Sequence, residues 1–411
     1  MTKLLLFMFA LFFATNAFAQ SSTAANPQVR RALEYIKTIE PETIAEQIKT
    51  CEIPAPPFKE ERRAAYYQQR FTELGLKNVR IDKEGNVIGE RPGASNAPTL
   101  VLAAHLDTVF PEDTNVKVKR TGNVLSGPGI GDDCRGLAVI LTVARALNEA
   151  KIATKGTILF VANVGEEGLG DLRGVKHLFH QELKGRITHF ISVDGTGTST
   201  TNAGVGSNRY RVTFKGPGGH SYGAFGLPSP IHALGRAIEK MARFEVPKTP
   251  KTTFNVGRIE GGTSVNSIAH TAWMEVDMRS ESAAALAKLD AQFRQAMQDA
   301  LQAENDFWKH EKKLMVEVNL VGKRPVGEQP ADAPIVQMAR AADAALGLPS
   351  RLGASSTDSN IPMSLNIPAL TIGGGGKGSG AHALDESFDV TDSHLGTQRA
   401  LLITLNIVGV K

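Results

Sequence analysis

Two apolar runs with a helical stretch between them constrain the fold of this chain more than any other feature. Thr99–His105 and Gly156–Val164 have the pattern of buried strands, and Gly136–Ala150 between them has the pattern of a helix. A further short strand is predicted at Phe190–Val193. Strands that alternate with helices in this way predict an α/β domain, built on a mostly parallel sheet that is flanked by helices.

A second pattern begins near residue 208. Its predicted elements run strand, helix, strand, strand, helix, strand, which is the order of a ferredoxin-like unit. They are Arg209–Lys215, Ser229–Phe244, Thr252–Ile259, Thr271–Arg279, Ala283–Glu304 and Lys313–Val321. Helices at Pro334–Ala345 and Ser393–Val410 then continue the first pattern. We therefore expect a small domain at 208–322, inserted into a larger one made of 20–207 and 323–411.

The first nineteen residues have the features of a signal peptide. Lys3 precedes an apolar run, Leu4–Ala14, which is short for a membrane span, and Ala17-Phe18-Ala19 is typical of a cleavage site. The mature chain is expected to begin near Gln20 and to be exported, to the periplasm or to the medium. An uncleaved anchor is the alternative. No later apolar run reaches eighteen residues, so we expect no membrane association after cleavage.

Export implies an oxidising compartment, in which disulfides persist. Cys51 and Cys134 are the only cysteines. A single bridge between them is one option, and two unpaired, buried thiols are the interpretation that we favour, because spacing along the chain does not establish proximity.

Composition and net charge give no indication of a nucleic-acid or membrane partner. Hydrophobic residues make up 42% of the chain and charged residues 21%, which is ordinary for a globular protein. Lysine and arginine number 46 against 42 acidic residues, a net charge of +4. A balance this close to zero gives no electrostatic reason to expect binding to nucleic acid or to a membrane surface.

Acidic and imidazole side chains follow the predicted strands at the points where the strands end, which is where α/β sheets bind ligands. Each such segment alone also fits a structural histidine or a solvated turn. Together they supply the nitrogen and oxygen donors of a two-metal hydrolytic centre, and the absence of thiolates from the set favours zinc, with manganese or cobalt as substitutes. The segments contain His105 and Asp107, Asp132 and Asp133, Glu166 and Glu167, Asp194, and His382.

The motifs HLDTV, GPGIGDD, GEEG, VDG and GAHALDE, in this order, resemble those of the M20 family of metallopeptidases. The resemblance covers nearly all of the mature chain. It implies a zinc-binding α/β domain that is interrupted by a ferredoxin-like lid domain. It also leaves open a homodimer that forms through the lid.

The resemblance implies a role for each motif residue. One zinc ion is bound by His105 and Asp194. The other is bound by His382 and Glu167, and Asp132 bridges the two ions. Asp107 orients His105, and Glu166 is the general base that activates a water between the metals. The family motif usually continues with Lys-Gly after Asp132, and here the chain reads Asp133-Cys134-Arg135-Gly136, in which the cysteine is a departure.

Other positions resemble residues that contact substrate. His220, in the lid, corresponds to a histidine that reaches the scissile carbonyl oxygen. Asn266 and Arg279 correspond to lid residues that bind substrate, although a surface salt bridge is the alternative for Arg279. The glycine cluster that contains Gly374 is interpreted as backbone that approaches the substrate beside His382.

The expected activity is hydrolysis of short peptides. Within the family, an aspartate at the position of Asp194 is typical of aminopeptidases, tripeptidases and dipeptidases. An N-acyl-amino-acid amidohydrolase or a carboxypeptidase of the same family is the first alternative. A non-catalytic peptide-binding protein is the second.

Overall fold

The computed structural model describes residues 23–411, and the predicted signal peptide lies outside the described residues. The chain divides into two compact units. The first comprises the chain up to Ala203 together with Gly327–Lys411, and the second is Gly204–Val326. The inserted unit thus extends four residues beyond each predicted boundary. Within the described part of the chain, no helix is long and apolar enough to cross a membrane.

The elements are numbered along the chain. The helices are α1 (Pro27–Thr38), α2 (Glu40–Cys51), α3 (Glu61–Glu73), α4 (Cys134–Glu149), α5 (Arg173–His177), α6 (Pro230–Ala242), α7 (Ala283–Trp308), α8 (Pro334–Ala345), α9 (Asn360–Ser364) and α10 (His394–Val408). The strands are β1 (Lys77–Ile81), β2 (Val87–Arg91), β3 (Thr99–His105), β4 (Lys119–Thr121), β5 (Val124–Ser126), β6 (Thr157–Asn163), β7 (His189–Val193), β8 (Thr200–Gly204), β9 (Gly206–Lys215), β10 (Gly219–His220), β11 (Thr252–Gly261), β12 (Ser267–Ile268), β13 (Thr271–Ser280), β14 (Met315–Arg324), β15 (Gly327–Glu328), β16 (Leu352–Ser355), β17 (Ala369–Ile372), β18 (Lys377–Ser379) and β19 (Ser387–Asp389).

The first unit is built on a sheet of strand order β1-β2-β6-β3-β7-β17-β8-β15, with β16 paired to β8. Its central strands β6, β3, β7 and β17 are parallel to one another. The pairs β1–β2, β2–β6 and β17–β8 are antiparallel. The prediction of an α/β fold with a mostly parallel sheet is therefore confirmed for the central part of the sheet.

Burial explains why these strands form. Every residue of β3 and of β6 is buried, as expected for strands that are covered by helices on both faces. In the register of this parallel pair, His105 lies beside Asn163, the last residue of β6. The segments that follow β3, β6 and β7 therefore leave the sheet at one edge. Four of the predicted site residues lie in those segments, namely Asp107, Glu166, Glu167 and Asp194.

The inserted unit has its own sheet and core. Its strands lie in the order β11-β13-β9-β14, and each is antiparallel to its neighbours. Alternate residues of β9, namely Tyr210, Val212 and Phe214, are buried in a core to which α6 and α7 contribute. Together with the order of elements along the chain, this topology is that of a ferredoxin-like unit.

The prediction of two unpaired thiols is wrong, because Cys51 and Cys134 form a disulfide with a Cα–Cα distance of 5.5 Å. Cys51 is the last residue of α2 and Cys134 is the first residue of α4. The two helices pack against each other in the first unit, and that packing brings together residues that are 83 positions apart in the sequence. Sequence spacing alone does not contain this information.

The bridge is expected to stabilise the fold, because closing a loop of 83 residues reduces the conformational freedom of the unfolded chain. Replacing both cysteines (Cys51→Ser with Cys134→Ser) should lower the free energy of unfolding by about 2–5 kcal/mol. Urea denaturation of the oxidised protein and the double variant measures this difference. Adding a reductant should destabilise the wild type and leave the double variant unchanged. Equal stabilities of the oxidised protein and the variant would contradict the prediction.

Candidate metal centre

The loops at one edge of the sheet bring the predicted ligands together in two sets that share Asp132. His105, Asp132 and Asp194 form one set, and Asp132, Glu167 and His382 form the other, with the ligand atoms of each set within 4.8 Å of one another. Asp132 Oδ1 lies 3.0 Å from His105 Nε2, and Asp132 Oδ2 lies 3.3 Å from His382 Nε2. His382 Nε2 is also 3.0 Å from Glu167 Oε1. The two oxygens of one carboxylate thus face two histidines.

The tautomer of His105 suits metal binding. Its Nδ1 lies 3.0 Å from the carbonyl oxygen of Asp107, and a carbonyl oxygen can only accept a hydrogen bond. A neutral His105 therefore carries its proton on Nδ1 and presents the lone pair of Nε2 towards Asp132. The Asp107 carboxylate itself is 3.7 Å from Nδ1, so the backbone of Asp107 makes the shorter contact.

The Asp107 carboxylate holds the next loop instead. Its Oδ1 accepts the N–H of Glu166 at 3.1 Å, and its Oδ2 accepts the N–H of Glu167 at 2.8 Å. Gly165, directly before them, has a φ of +73°, and a Cβ there would lie 2.5 Å from Arg173. Only glycine fits that position without strain. Asp107 therefore fixes the turn that carries both glutamates.

Asp133 has a supporting role that differs from that of its neighbour Asp132. Its Oδ2 accepts the backbone N–H of His105 at 3.0 Å, and its Oδ1 accepts the N–H of Gly136 at 3.0 Å, which caps α4. The Asp133 side chain is thus directed into the protein. Asp132 remains the carboxylate between the two histidines.

The electrostatics of the centre indicate a place for cations. Burial and the neighbouring Asp132 carboxylate raise the pKa of Asp194 to about 7. Hydrogen bonds to Asp132 and Glu167 raise the pKa of His382 to about 10. Acidic groups this close together repel one another, and divalent cations would offset that repulsion. Nitrogen and oxygen donors in two sets around a shared carboxylate fit a two-metal centre.

His382 lies in a strained part of the backbone. Its φ of +68° is in the left-handed region, which is uncommon for residues other than glycine. Gly380, two residues earlier, has a φ of +74°. Strain of this kind occurs at functional sites, where the surrounding structure holds a side chain in a required position.

In the inserted unit, two predicted substrate contacts share a short ribbon. Strand β10 pairs with β12 so that His220 lies opposite Ser267, the residue after Asn266. His220 Nδ1 accepts the N–H groups of Tyr222 at 3.3 Å and Gly223 at 3.2 Å. A neutral His220 therefore carries its proton on Nε2, where it can serve as a hydrogen-bond donor.

Arg279 and Gly374, the other predicted substrate contacts, have hydrogen-bond partners within their own units. Arg279 Nε donates to Asp277 Oδ2 at 2.7 Å, which is the salt bridge weighed as its alternative role. Gly374 donates its N–H to the carbonyl of Gly195 at 3.0 Å and accepts from Arg135 Nε at 2.7 Å. Contact of either residue with substrate stays a prediction.

Sequence reasoning missed a buried arginine beneath the site. Arg63 Nη1 donates to the carbonyl of Leu106 at 2.6 Å, between His105 and Asp107, and its Nε donates to the carbonyl of Ile53 at 3.0 Å. Its positive charge also attracts the carboxylates of Asp107 and Asp133. Arg63 lies on α3 among other charged residues, so its sequence gives no signal of burial.

A buried amide and carboxylate pair was also missed. Asn163 Nδ2 donates to Asp358 Oδ2 at 2.7 Å, and Asp358 lies close enough to Asp194 to help raise the pKa of that residue. The signal that marks Asn163 is its position as the polar end of a strand that is otherwise apolar.

Comparison with known proteins identifies the class. Residues 101–405 match the model of peptidase family M20/M25/M40, so the chain belongs to this family. It is an M20 metallopeptidase, a hydrolase that acts on peptide bonds, in a family whose members depend on dinuclear metal centres.

Individual relatives share its sequence or its fold. The protein YqjE of Bacillus subtilis is 28% identical over 332 residues, which are 74% of this chain and 82% of that protein. Carboxypeptidase G2 of a Pseudomonas species is 27% identical over 272 residues, which are 64% of this chain and 62% of that protein. The crystal structure of the aminopeptidase PepT of Bacillus cereus matches with a TM-score of 0.70 at 21% identity, covering 90% of this chain and 98% of that one.

Because the carboxylates repel one another, Asp194→Asn should stabilise the metal-free protein. The same substitution should reduce the stability that is gained from zinc. In metal-free protein at pH 8, Asp194→Asn should raise the free energy of unfolding by about 1–3 kcal/mol, because it removes one repelling charge. Saturating zinc should stabilise the wild type by about 4 kcal/mol at a thousandfold excess over its Kd, and the variant by clearly less. Chemical denaturation with chelator or with zinc measures both effects.

Asp332→Asn is the control, because Asp332 is an exposed residue of the same unit. This substitution should change neither the stability of the metal-free protein nor the stability gained from zinc. If Asp194→Asn destabilised the metal-free protein, or gained as much stability from zinc as the wild type, the assignment of Asp194 to a metal site would be wrong.

Proposed function

We propose that this chain is an exported exopeptidase that hydrolyses short peptides with two zinc ions. The observation that carries the proposal is the position of Asp132, whose two carboxylate oxygens face His105 and His382. Such a carboxylate can hold two cations side by side.

Five side chains would hold the ions. His105 and Asp194 would bind one, His382 and Glu167 the other, and Asp132 both. When bound, the ions supply Lewis acidity towards the scissile carbonyl and make a water more acidic at neutral pH. The Nδ1–H of His105 stays on the carbonyl of Asp107, so that its ring keeps one orientation during turnover.

Glu166 is the proposed general base. Its backbone N–H is fixed by Asp107, and the residue is buried beside the ligand Glu167. In this role Glu166 takes a proton from the attacking water and passes it to the amine that leaves. A carboxylate on a fixed turn suits both steps, because it needs no large movement between accepting and donating the proton.

Three residues of the inserted unit are proposed to bind the substrate. We propose that His220 donates from Nε2 to the oxygen of the scissile carbonyl, since its Nδ1 already accepts two backbone N–H groups. Asn266 and Arg279 are proposed to bind the peptide, and Arg279 would then exchange or share its pairing with Asp277 to reach a carboxylate. Gly374 is proposed to line the site through its backbone.

Among exopeptidase types, we favour one that acts on the free amino end of dipeptides or tripeptides. An aspartate at position 194 and the fold shared with PepT support this choice. The sequence similarity to carboxypeptidase G2 favours a carboxypeptidase or deacylase as the second candidate. Because the chain is a peptidase by family, the non-catalytic alternative is dropped.

Export is proposed from two observations. The first nineteen residues have the pattern of a cleaved signal peptide. The disulfide between Cys51 and Cys134 suits an oxidising compartment. Fractionation of cells that express the full chain, with sequencing of the N-terminus of the mature protein, tests the proposal.

Glu166→Gln should lower kcat by at least about a hundredfold, because the amide cannot accept the proton of the attacking water. Its zinc content should stay close to that of the wild type, since Glu166 is not a proposed ligand. The exposed Glu149→Gln is the matched control and should retain full activity. Glu166→Gln with two bound zinc ions and near-normal turnover would refute the assigned mechanism.

A substrate panel separates the two candidate specificities. We expect hydrolysis of dipeptides and tripeptides with a free amino end, and loss of activity when that end is acetylated. Steady-state kinetics on free and N-acetylated peptides, and on N-acetyl amino acids, measures the preference. Activity confined to N-acylated substrates would move the protein to the carboxypeptidase and deacylase branch.

A further inference from the structure

Glu386 is a buried carboxylate that binds the loop in front of α4. Its Oε1 accepts the N–H groups of Gly131 at 2.7 Å and Asp132 at 3.0 Å, and its Oε2 accepts the N–H of Gly129 at 3.1 Å. Its backbone carbonyl accepts the N–H of Gly127 at 2.9 Å. Four hydrogen bonds thus tie this single residue to the segment that carries Asp132.

Glu386 also belongs to the loop of the second histidine. It follows His382 by four residues and directly precedes β19, which pairs with β5 just before the Asp132 loop. A displacement of the Glu386 side chain would therefore change the position of Asp132 relative to His382. The distance between Asp132 Oδ2 and His382 Nε2 is 3.3 Å.

We propose that Glu386 is a positioning residue for the metal centre, which places the shared Asp132 carboxylate against His382 and thereby determines the affinity for the second ion. The inference rests on the proposed two-metal function. It assigns Glu386 no contact with metal or substrate.

The chemistry of the contact explains why a carboxylate is needed. Three N–H groups converge on the side chain, and a carboxylate offers two acceptor oxygens for them. Glutamine offers one oxygen and would turn an amide N–H₂ towards at least one of these donors. Alanine would leave all three N–H groups without this partner, and a loop that loses these hydrogen bonds is expected to move.

The test compares Glu386→Gln and Glu386→Ala with Glu304→Gln as the matched control. Glu304 is a fully buried glutamate of the inserted unit, and its carboxylate accepts the backbone N–H of Ser229 at 3.1 Å and the indole N–H of Trp308 at 2.8 Å. Each metal-free protein is titrated with zinc in competition with a chromophoric chelator. Thermal unfolding of the metal-free proteins is measured in parallel.

We expect Glu386→Ala to weaken binding of the second zinc ion by about 10–100-fold, as is usual when a residue that orients ligands is removed. Glu386→Gln should lie between the wild type and Glu386→Ala. In both variants kcat should fall while KM changes little. Glu304→Gln should lower the melting temperature and leave both zinc affinities unchanged.

Unchanged zinc affinities in both Glu386 variants, with only a lower melting temperature, would overturn the inference and make Glu386 a structural residue. If Glu386→Ala does not fold, Glu386→Gln alone decides. If the wild type itself fails to bind two zinc ions, the proposed function fails and the inference falls with it.

Discussion

Carboxylates gathered at one edge of a parallel sheet repel one another, and much of the structure around them counteracts that repulsion. Backbone N–H groups of Glu166 and Glu167 bind Asp107, and those of His105 and Gly136 bind Asp133. Arg63 adds a buried positive charge. Asp132, Asp194 and Glu167 are the proposed acidic ligands that lie close to the two histidines. The remaining repulsion is the energetic basis for binding cations there.

The limits of several elements of the first unit were predictable because each has a continuous hydrophobic pattern along its length. Strand β3 has the predicted limits, and β6 begins and ends one residue inside them. Helix α8 also has its predicted limits, with a proline in its first turn. The break between α1 and α2 falls next to Pro41, as its missing N–H requires. The proximity of the segments after β3, β6 and β7 followed from the rule that parallel strands end at a common edge.

The parts that sequence reasoning missed depend on contacts between distant segments. The disulfide needs the packing of α2 on α4, and Glu386 reaches a loop more than 250 positions earlier in the chain. Arg63 is buried on a helix whose charged composition suggests exposure. The hairpin of β1 and β2 and the small sheet of β4, β5, β18 and β19 consist of short strands with mixed polarity. No local pattern marks the contacts that these features make.

The most direct test of a two-metal centre is anomalous diffraction at the zinc edge from crystals grown with zinc. The account predicts two peaks about 3.5–4 Å apart on either side of the Asp132 carboxylate. One should lie against His105 and Asp194, and the other against His382 and Glu167. A single peak at saturating zinc, or peaks away from Asp132, would contradict the account.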